Sequence, residues 1–218
     1  MLYIKKNEPP GEFIRYAKSS GACFDGMDPA VKATLRTALL QEQKYLCAYC
    51  MTSLEDSYKC VKIEHYVPRD ADNELAYRNL LAVCCGNAGK PKTAQTCDTR
   101  KGNTILQIDP QNQHHMADIF YDGNGKIYIK NKAWQADLDD VLNLNCPELQ
   151  AGRKAALDGL CAVLYKENKA KSASKAYLEK RLRFYHETPR GQAQRAQTDW
   201  LGFCKGGAQC PRSGRLCV

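Results

Sequence analysis

CAYC (47–50), KIEHYVP (62–68), YRNLLAVC (77–84) and TCDTRKGN (96–103) are the fixed points of one stretch, residues 47–103, on which the reading of the fold turns. Two pairs of cysteines bracket a Glu-His dipeptide and an Asn-Leu, and the second pair runs into a polar, basic segment. Cys47 and Cys50 have the C-x-x-C spacing at which one turn of backbone offers two thiolates to one ion. A closed zinc site needs two more ligands. Cys84 and Cys97 are the best second pair, because they frame an expected strand-to-helix turn. Cys85 rivals Cys84, since adjacent cysteines do not easily serve one tetrahedral ion together. The 12 residues between Cys84 and Cys97 imply an inserted loop. A redox C-x-x-C would sit in a βαβ pattern, and none surrounds this one.

The chain of 218 residues contains 12 cysteines, and the compartment decides how to read them. Disulfide frameworks belong to short secreted chains with a leader, whereas MLYIKKNEPPGEF lacks the apolar core of a secretory signal. The sequence contains no run of 18 apolar residues of the kind that spans a membrane. The expectation is a cytoplasmic protein whose clustered cysteines bind metal. Cys23, Cys60, Cys146 and Cys161 stand alone and read as small buried apolar residues. Cys204, Cys210 and Cys217, in a Gly-rich basic tail, are weaker candidates for part of a second site.

At 44% hydrophobic and 26% charged, the composition is that of an ordinary globular protein with one good core. The net charge of +8 is unevenly placed: residues 169–218 hold 11 Lys and Arg against 3 Asp and Glu, which is the whole excess. A basic segment beside such a centre suits a polyanion.

Outward from the cysteines, residues 1–26 read as irregular, because Pro9, Pro10 and Gly11 oppose helix. Asp28-Pro29 starts a helix with Asp as its cap, and Val31, Leu35, Ala38 and Leu39 share one face. Val61, Ile63 and His65 alternate with polar neighbours as a strand that Pro68 stops. RDADNELAYRN is loop, LLAVC a second strand, and the segment from Cys97 the start of a helix with Asp98 in its first turn. IFYDGNGKIYIK is a hairpin. Helices follow near 147–167, 172–187 and 190–203. His114-His115 reads as solvent-facing, and the DGNG turn lacks the distal Glu of a calcium loop. The segments are 1–46 (arm and helix), 47–110 (the cysteine-framed core) and 111–218 (hairpin and basic helical region).

Chemistry gathers at Glu64-His65. Hydrolysis of a phosphodiester needs a base and a cation to offset developing charge. A neutral imidazole, with an unperturbed pKa of about 6.5, suits the first task. Glu64, a hard oxygen ligand, suits Mg²⁺ or a similar ion. Neighbours on a strand face opposite ways, so both reach one place only where the strand ends or twists. Absence of G-x-x-x-x-G-K-[ST] assigns any ATP use to another chain.

CAYC, IEHYVP, RNLLAVC and CDTRKGN resemble the HNH endonuclease family. The resemblance implies an α+β fold with a zinc-supported ββα-metal core, here flanked by N-terminal and C-terminal helices. It also implies His65 as general base and Asn79 as brace of the loop between strands. The family's third position follows the last zinc cysteine and more often holds His or Asn. Here Asp98, or else Asn103, would complete with Glu64 the shell of a divalent ion such as Mg²⁺. Arg100 and Lys101 would contact substrate phosphate. The flanks LLQEQKYLCAYC and DVLNLNCPELQAGRKAAL resemble the PtuB-type nucleases of Septu systems and their retron-associated relatives in anti-phage defence. That implies nucleic acid as substrate, DNA first and RNA or tRNA second. It further implies a PtuA-type ATPase partner, and for the retron relatives a reverse transcriptase with its RNA–DNA product. The alternative is a zinc-stabilised nucleic-acid or protein binding module without catalysis.

Overall fold

The computed structural model describes residues 1–58 and 61–167, together with Ala176 and Glu179; from 163 and from 165 onward to 167 only the helical backbone is described. Apart from Ala176 and Glu179, the helices expected near 172–187 and 190–203 lie outside the described residues, as do Cys60 and the tail cysteines Cys204, Cys210 and Cys217.

Helix α1 covers Gly11–Ala17, where the sequence suggested irregular chain. Pro10 is its N-cap, a position whose missing N–H costs nothing because the first helical donors lack partners anyway. The residues that oppose a helix interior thus stand at its start. Helix α2, Pro29–Glu42, begins as expected: the Asp28 carboxylate accepts the Ala30 N–H at 2.7 Å, and Pro29 opens the helix. Its inward face, Leu35, Leu39 and Leu40, is fully buried.

The chain then turns sharply through Lys44 and Tyr45, both at positive φ, and reaches the first cysteine pair. Strands β1 (Val61–His65) and β2 (Leu80–Cys84) pair antiparallel, with Glu64 opposite Leu81 and His65 opposite Leu80. Leu80, Leu81, Ala82 and Val83 are all buried, so both faces of β2 are covered. α2 packs on β2, as does the short helix α3, Cys97–Lys101.

Helix α4 (Gln113–Ala117) leads into β3 (Ile119–Tyr121) and β4 (Ile127–Ile129), the expected hairpin. Asp122 accepts the N–H groups of Asn124 and Lys126, each at 2.9 Å, which closes the turn without any ion. Gly125, at φ +79°, lies against helix α5 (Pro147–Glu167) so closely that a Cβ would stand 2.5 Å from the Gln150 carbonyl. His115, expected in solvent, is partly buried: its ring meets Trp134 edge-on at 4.7 Å, and Nδ1 accepts the Asp109 N–H. His114 is exposed as expected. One continuous cluster of buried side chains runs from Met1 to Leu157.

The N-terminal arm is tied to this core by a buried ion pair. Lys6 Nζ meets Glu42, donates to the Leu80 carbonyl at 2.8 Å and lies 4.2 Å from the centre of the Tyr77 ring. The Glu42 carboxylate also accepts from Tyr77 Oη at 3.0 Å and the Asn7 N–H at 3.1 Å. Burial pulls the Lys6 amine down from its ordinary pKa. Removing one partner of such a pair strands the other without water. Glu42→Ala is therefore expected to cost about 3–5 kcal/mol, read as a lower urea midpoint. A midpoint unchanged within error contradicts it.

Among the described residues, no helix is long and apolar enough to cross a membrane.

Candidate metal and catalytic centre

Three elements bring the four central cysteines together. A tight knuckle carries Cys47 and Cys50: the Cys47 N–H donates to the Thr52 carbonyl at 3.0 Å, and the Met51 N–H donates back to the Cys47 carbonyl at 3.1 Å. Met51 accepts φ +65° to close it. Cys84 ends β2, and Cys97 opens α3 at φ +54° with its N–H bonded to the Leu142 carbonyl. The four sulfurs lie within 4.8 Å of one another, with Cys47–Cys97 at 3.9 Å and Cys50–Cys84 and Cys84–Cys97 both at 3.7 Å. Bonds of about 2.3 Å at tetrahedral angles put sulfurs about 3.8 Å apart, so the cage fits zinc.

Electrostatics agree with that fit. Hydrogen bonds from Cys47, Cys84 and Cys97 hold the Cys50 thiol well below its usual pKa. Burial pushes Cys47 up, and the neighbouring thiols push Cys97 up. Four clustered sulfurs, three of them buried, are a donor set that a dication completes. Cys85 is not one of the four.

The loop between Cys84 and Cys97 is pinned at Gly86, whose carbonyl accepts the Thr96 N–H at 3.0 Å. Gly86 has φ +52°, and a Cβ there would lie 2.2 Å from the Thr96 carbonyl oxygen. Gly86→Ala is expected to cost about 2 kcal/mol or more and to loosen zinc retention. Thermal melting with zinc quantitation checks this. An unchanged melt with full zinc retention refutes it.

Beside the cysteine cage stand two carboxylates. Glu64, on β1, is buried at 6% exposure, and Asp98 from α3 lies within hydrogen-bonding reach of it. Burial first, and then the neighbouring Asp98, push the Glu64 carboxyl up to about 8. Such a pair lacks positive charge, which makes it suitable for a hard divalent ion. Two lysines partly supply it. Lys101 Nζ is 2.7 Å from Glu64 Oε1, and Lys62 Nζ is 3.6 Å from Asp98 Oδ2 and 2.8 Å from Thr99 Oγ1. Tyr49, from the CAYC knuckle and wholly buried, donates to Glu64 at 3.2 Å, so the cage and the acid pair share a residue.

His65 belongs to a different neighbourhood. β1 ends at His65, and its ring packs against Phe24 with centroids 4.6 Å apart. Its Nε2 is 3.0 Å from the Glu74 carbonyl. A carbonyl only accepts, so Nε2 carries the proton and Nδ1 keeps its lone pair. Burial lowers the imidazole pKa. Its ring thus meets Phe24 and the Glu74 carbonyl, and the alternation of side chains along β1 turns it to the face opposite Glu64.

Asn79 ties down the chain just beyond His65. Its Oδ1 accepts the Val67 N–H at 2.7 Å and its Nδ2 donates to the Val67 carbonyl at 3.0 Å, while its own carbonyl accepts the Tyr66 N–H. A side-chain amide thus imitates a third strand. Arg100 donates to the carbonyls of Lys92 and Asp140 near the surface, whereas Lys101 is 3% exposed and turned inward. Asn103 is exposed. Sequence reasoning missed Tyr49 and Lys62. The strand alternation that places Glu64 also places Lys62 two residues away on the same side, but only α3 shows what it meets.

No family model matches the sequence. Two known proteins do. The candidate HNH endonuclease of retron Vc95 from Vibrio cholerae serotype O1 biovar El Tor is 28% identical over 183 residues, 75% of this chain and 86% of that protein. Septu protein PtuB of Bacillus thuringiensis is 28% identical over 149 residues, 66% of this chain. The match spans 55% of the length of that PtuB. By sequence the chain is thus similar to a retron-associated HNH endonuclease and to a Septu PtuB protein.

Proposed function

We propose that this protein is an HNH endonuclease that hydrolyses nucleic-acid phosphodiester bonds, DNA first and RNA or tRNA second. In this reading β1, β2 and α3 form a ββα-metal core held by zinc on Cys47, Cys50, Cys84 and Cys97. The observation that carries it is the Glu64–Asp98 pair, a buried carboxyl on β1 beside a partly exposed one on α3, next to the cysteine cage.

Glu64 and Asp98 would hold Mg²⁺ or a similar ion, which when bound supplies charge compensation at the phosphate and leaving oxygen. His65 takes the proton of the attacking water on Nδ1, because Nε2–H is committed to the Glu74 carbonyl. Its lowered pKa keeps it neutral near pH 7 and so ready as a base. Phe24 and Glu74 hold the ring from two sides. Asn79 fixes Val67 and thereby the point where β1 ends, which is where the two faces of the strand meet and where this reading seats the scissile phosphate. Lys62, partly exposed beside Asp98, is the cation best placed for a phosphate oxygen.

A binding module that used the cage for folding alone is the competing reading. It gives no role to Glu64 and His65 together, which a purely structural cage would not require. As in its relatives, the setting would be anti-phage defence beside a PtuA-type ATPase, in the cytoplasm, and for a retron with a reverse transcriptase and its RNA–DNA product. One assay addresses both substrate and partner: purified protein, alone and co-purified with such an ATPase, incubated with plasmid and with total tRNA in Mg²⁺. Cleavage of at least one substrate is expected. Intact plasmid and tRNA in both preparations favour the binding module.

A further inference from the structure

The acid pair carries a cation of its own. Lys101 Nζ sits 2.7 Å from Glu64 Oε1, and the two side chains are 1% and 6% exposed. The other partners of the ammonium are backbone carbonyls, those of His65 at 3.4 Å and Gly102 at 3.3 Å. Glu64 is the charged group that faces this amine, and both belong to the interior. Tyr49 donates to the same carboxylate oxygen. Asp98 differs, since its lysine, Lys62, is 39% exposed, lies 3.6 Å away and is also satisfied by Thr99.

A hard dication and an ammonium need the same thing from Glu64, a charged oxygen. Two like charges a few ångströms apart in a dry interior repel strongly. From this geometry we propose that Lys101 is an internal competitor for the divalent ion at Glu64. The centre then takes up its ion weakly, and uptake requires the ammonium to leave Glu64. This inference rests on the reading of Glu64 and Asp98 as the ion site given above. It makes Lys101 a residue that sets ion affinity rather than one that contacts phosphate.

The test measures Mn²⁺ binding by the EPR signal of free Mn²⁺, on the full-length zinc-containing protein. Lys101→Met keeps the length of the side chain and removes its charge. It is expected to lower the Mn²⁺ Kd about tenfold or more, whereas Lys101→Arg stays near wild type and Lys62→Met shifts it less than Lys101→Met does. Lys101→Met that keeps the native circular dichroism and binds no more tightly overturns the inference. If that variant does not fold, Lys101→Gln replaces it, with the same tightening expected and the same null result fatal. Glu64→Gln serves as the separate control: Mn²⁺ binding unchanged in this variant overturns the ion site itself, whatever Lys101 does.

Discussion

Cys47→Ala is expected to unfold the region around the cysteine cage rather than weaken it by degrees. The four thiols come from a knuckle, the end of β2 and the start of α3, and the knuckle meets β2 through few main-chain bonds such as Ala48 N–H to the Ala82 carbonyl at 3.1 Å. The knuckle is made of short backbone bonds around residues at positive φ, and α3 is only 5 residues long. A helix that short has no independent stability. Structural zinc contributes about 10–16 kcal/mol of apparent binding free energy, comparable with the whole stability of an ordinary domain at about 5–15 kcal/mol. Losing one ligand of four therefore removes a large share of what holds the chain. Circular dichroism and zinc quantitation check this directly, and a strong chelator on wild-type protein is expected to reproduce the loss. Cys85→Ala, by contrast, should fold and keep its zinc, because Cys85 stands outside the four. A stable, zinc-replete Cys47→Ala protein contradicts the assignment.

The second large effect concerns activity without unfolding. Glu64→Gln and Asp98→Asn are expected each to remove nearly all Mg²⁺-dependent cleavage while the protein keeps its fold. Both changes preserve shape. Asp98 is 22% exposed at its side chain, so its replacement disturbs little packing. Gln at position 64 can still accept from Tyr49 and Lys101. What disappears is the charge that a hard ion requires. Lewis-acid compensation is worth several kcal/mol at the transition state, so the loss is on the order of a thousandfold or more. Single-turnover cleavage with excess protein, beside thermal melting, separates the two quantities. Full activity in either variant, at wild-type Mg²⁺, contradicts the role given to that carboxylate.

Much of this was legible from residues alone because it is local. Asp28-Pro29, the alternation around Ile63 and the DGNG turn act through short-range backbone chemistry, and α2, β1 and the β3–β4 hairpin appear where those signals stand. α1 was not legible: Pro10 and Gly11 oppose helix by composition, yet they sit at its start, where that opposition vanishes. The left-handed residues Lys44, Tyr45, Met51 and Cys97 carry no side-chain signature of their conformation, so the knuckle's shape had to come from the fold. At the centre, spacing suggested the cysteines and left Cys84 and Cys85 open, which geometry distinguishes. Charge alone could not tell Lys101, turned inward to Glu64, from a lysine that meets phosphate. That depends on which way the last residue of α3 faces, a property of packing and not of sequence pattern.

Replacing His65 tests the mechanism most directly. A labelled duplex and a labelled RNA, each with the full-length zinc-containing protein in Mg²⁺ and its ATPase partner where one is needed, would be followed for strand cleavage by wild type and His65→Ala. Cleavage by wild type, with the rate in His65→Ala reduced on the order of a hundredfold or more, is the result that a positioned general base predicts. Cleavage by His65→Ala at the wild-type rate contradicts it.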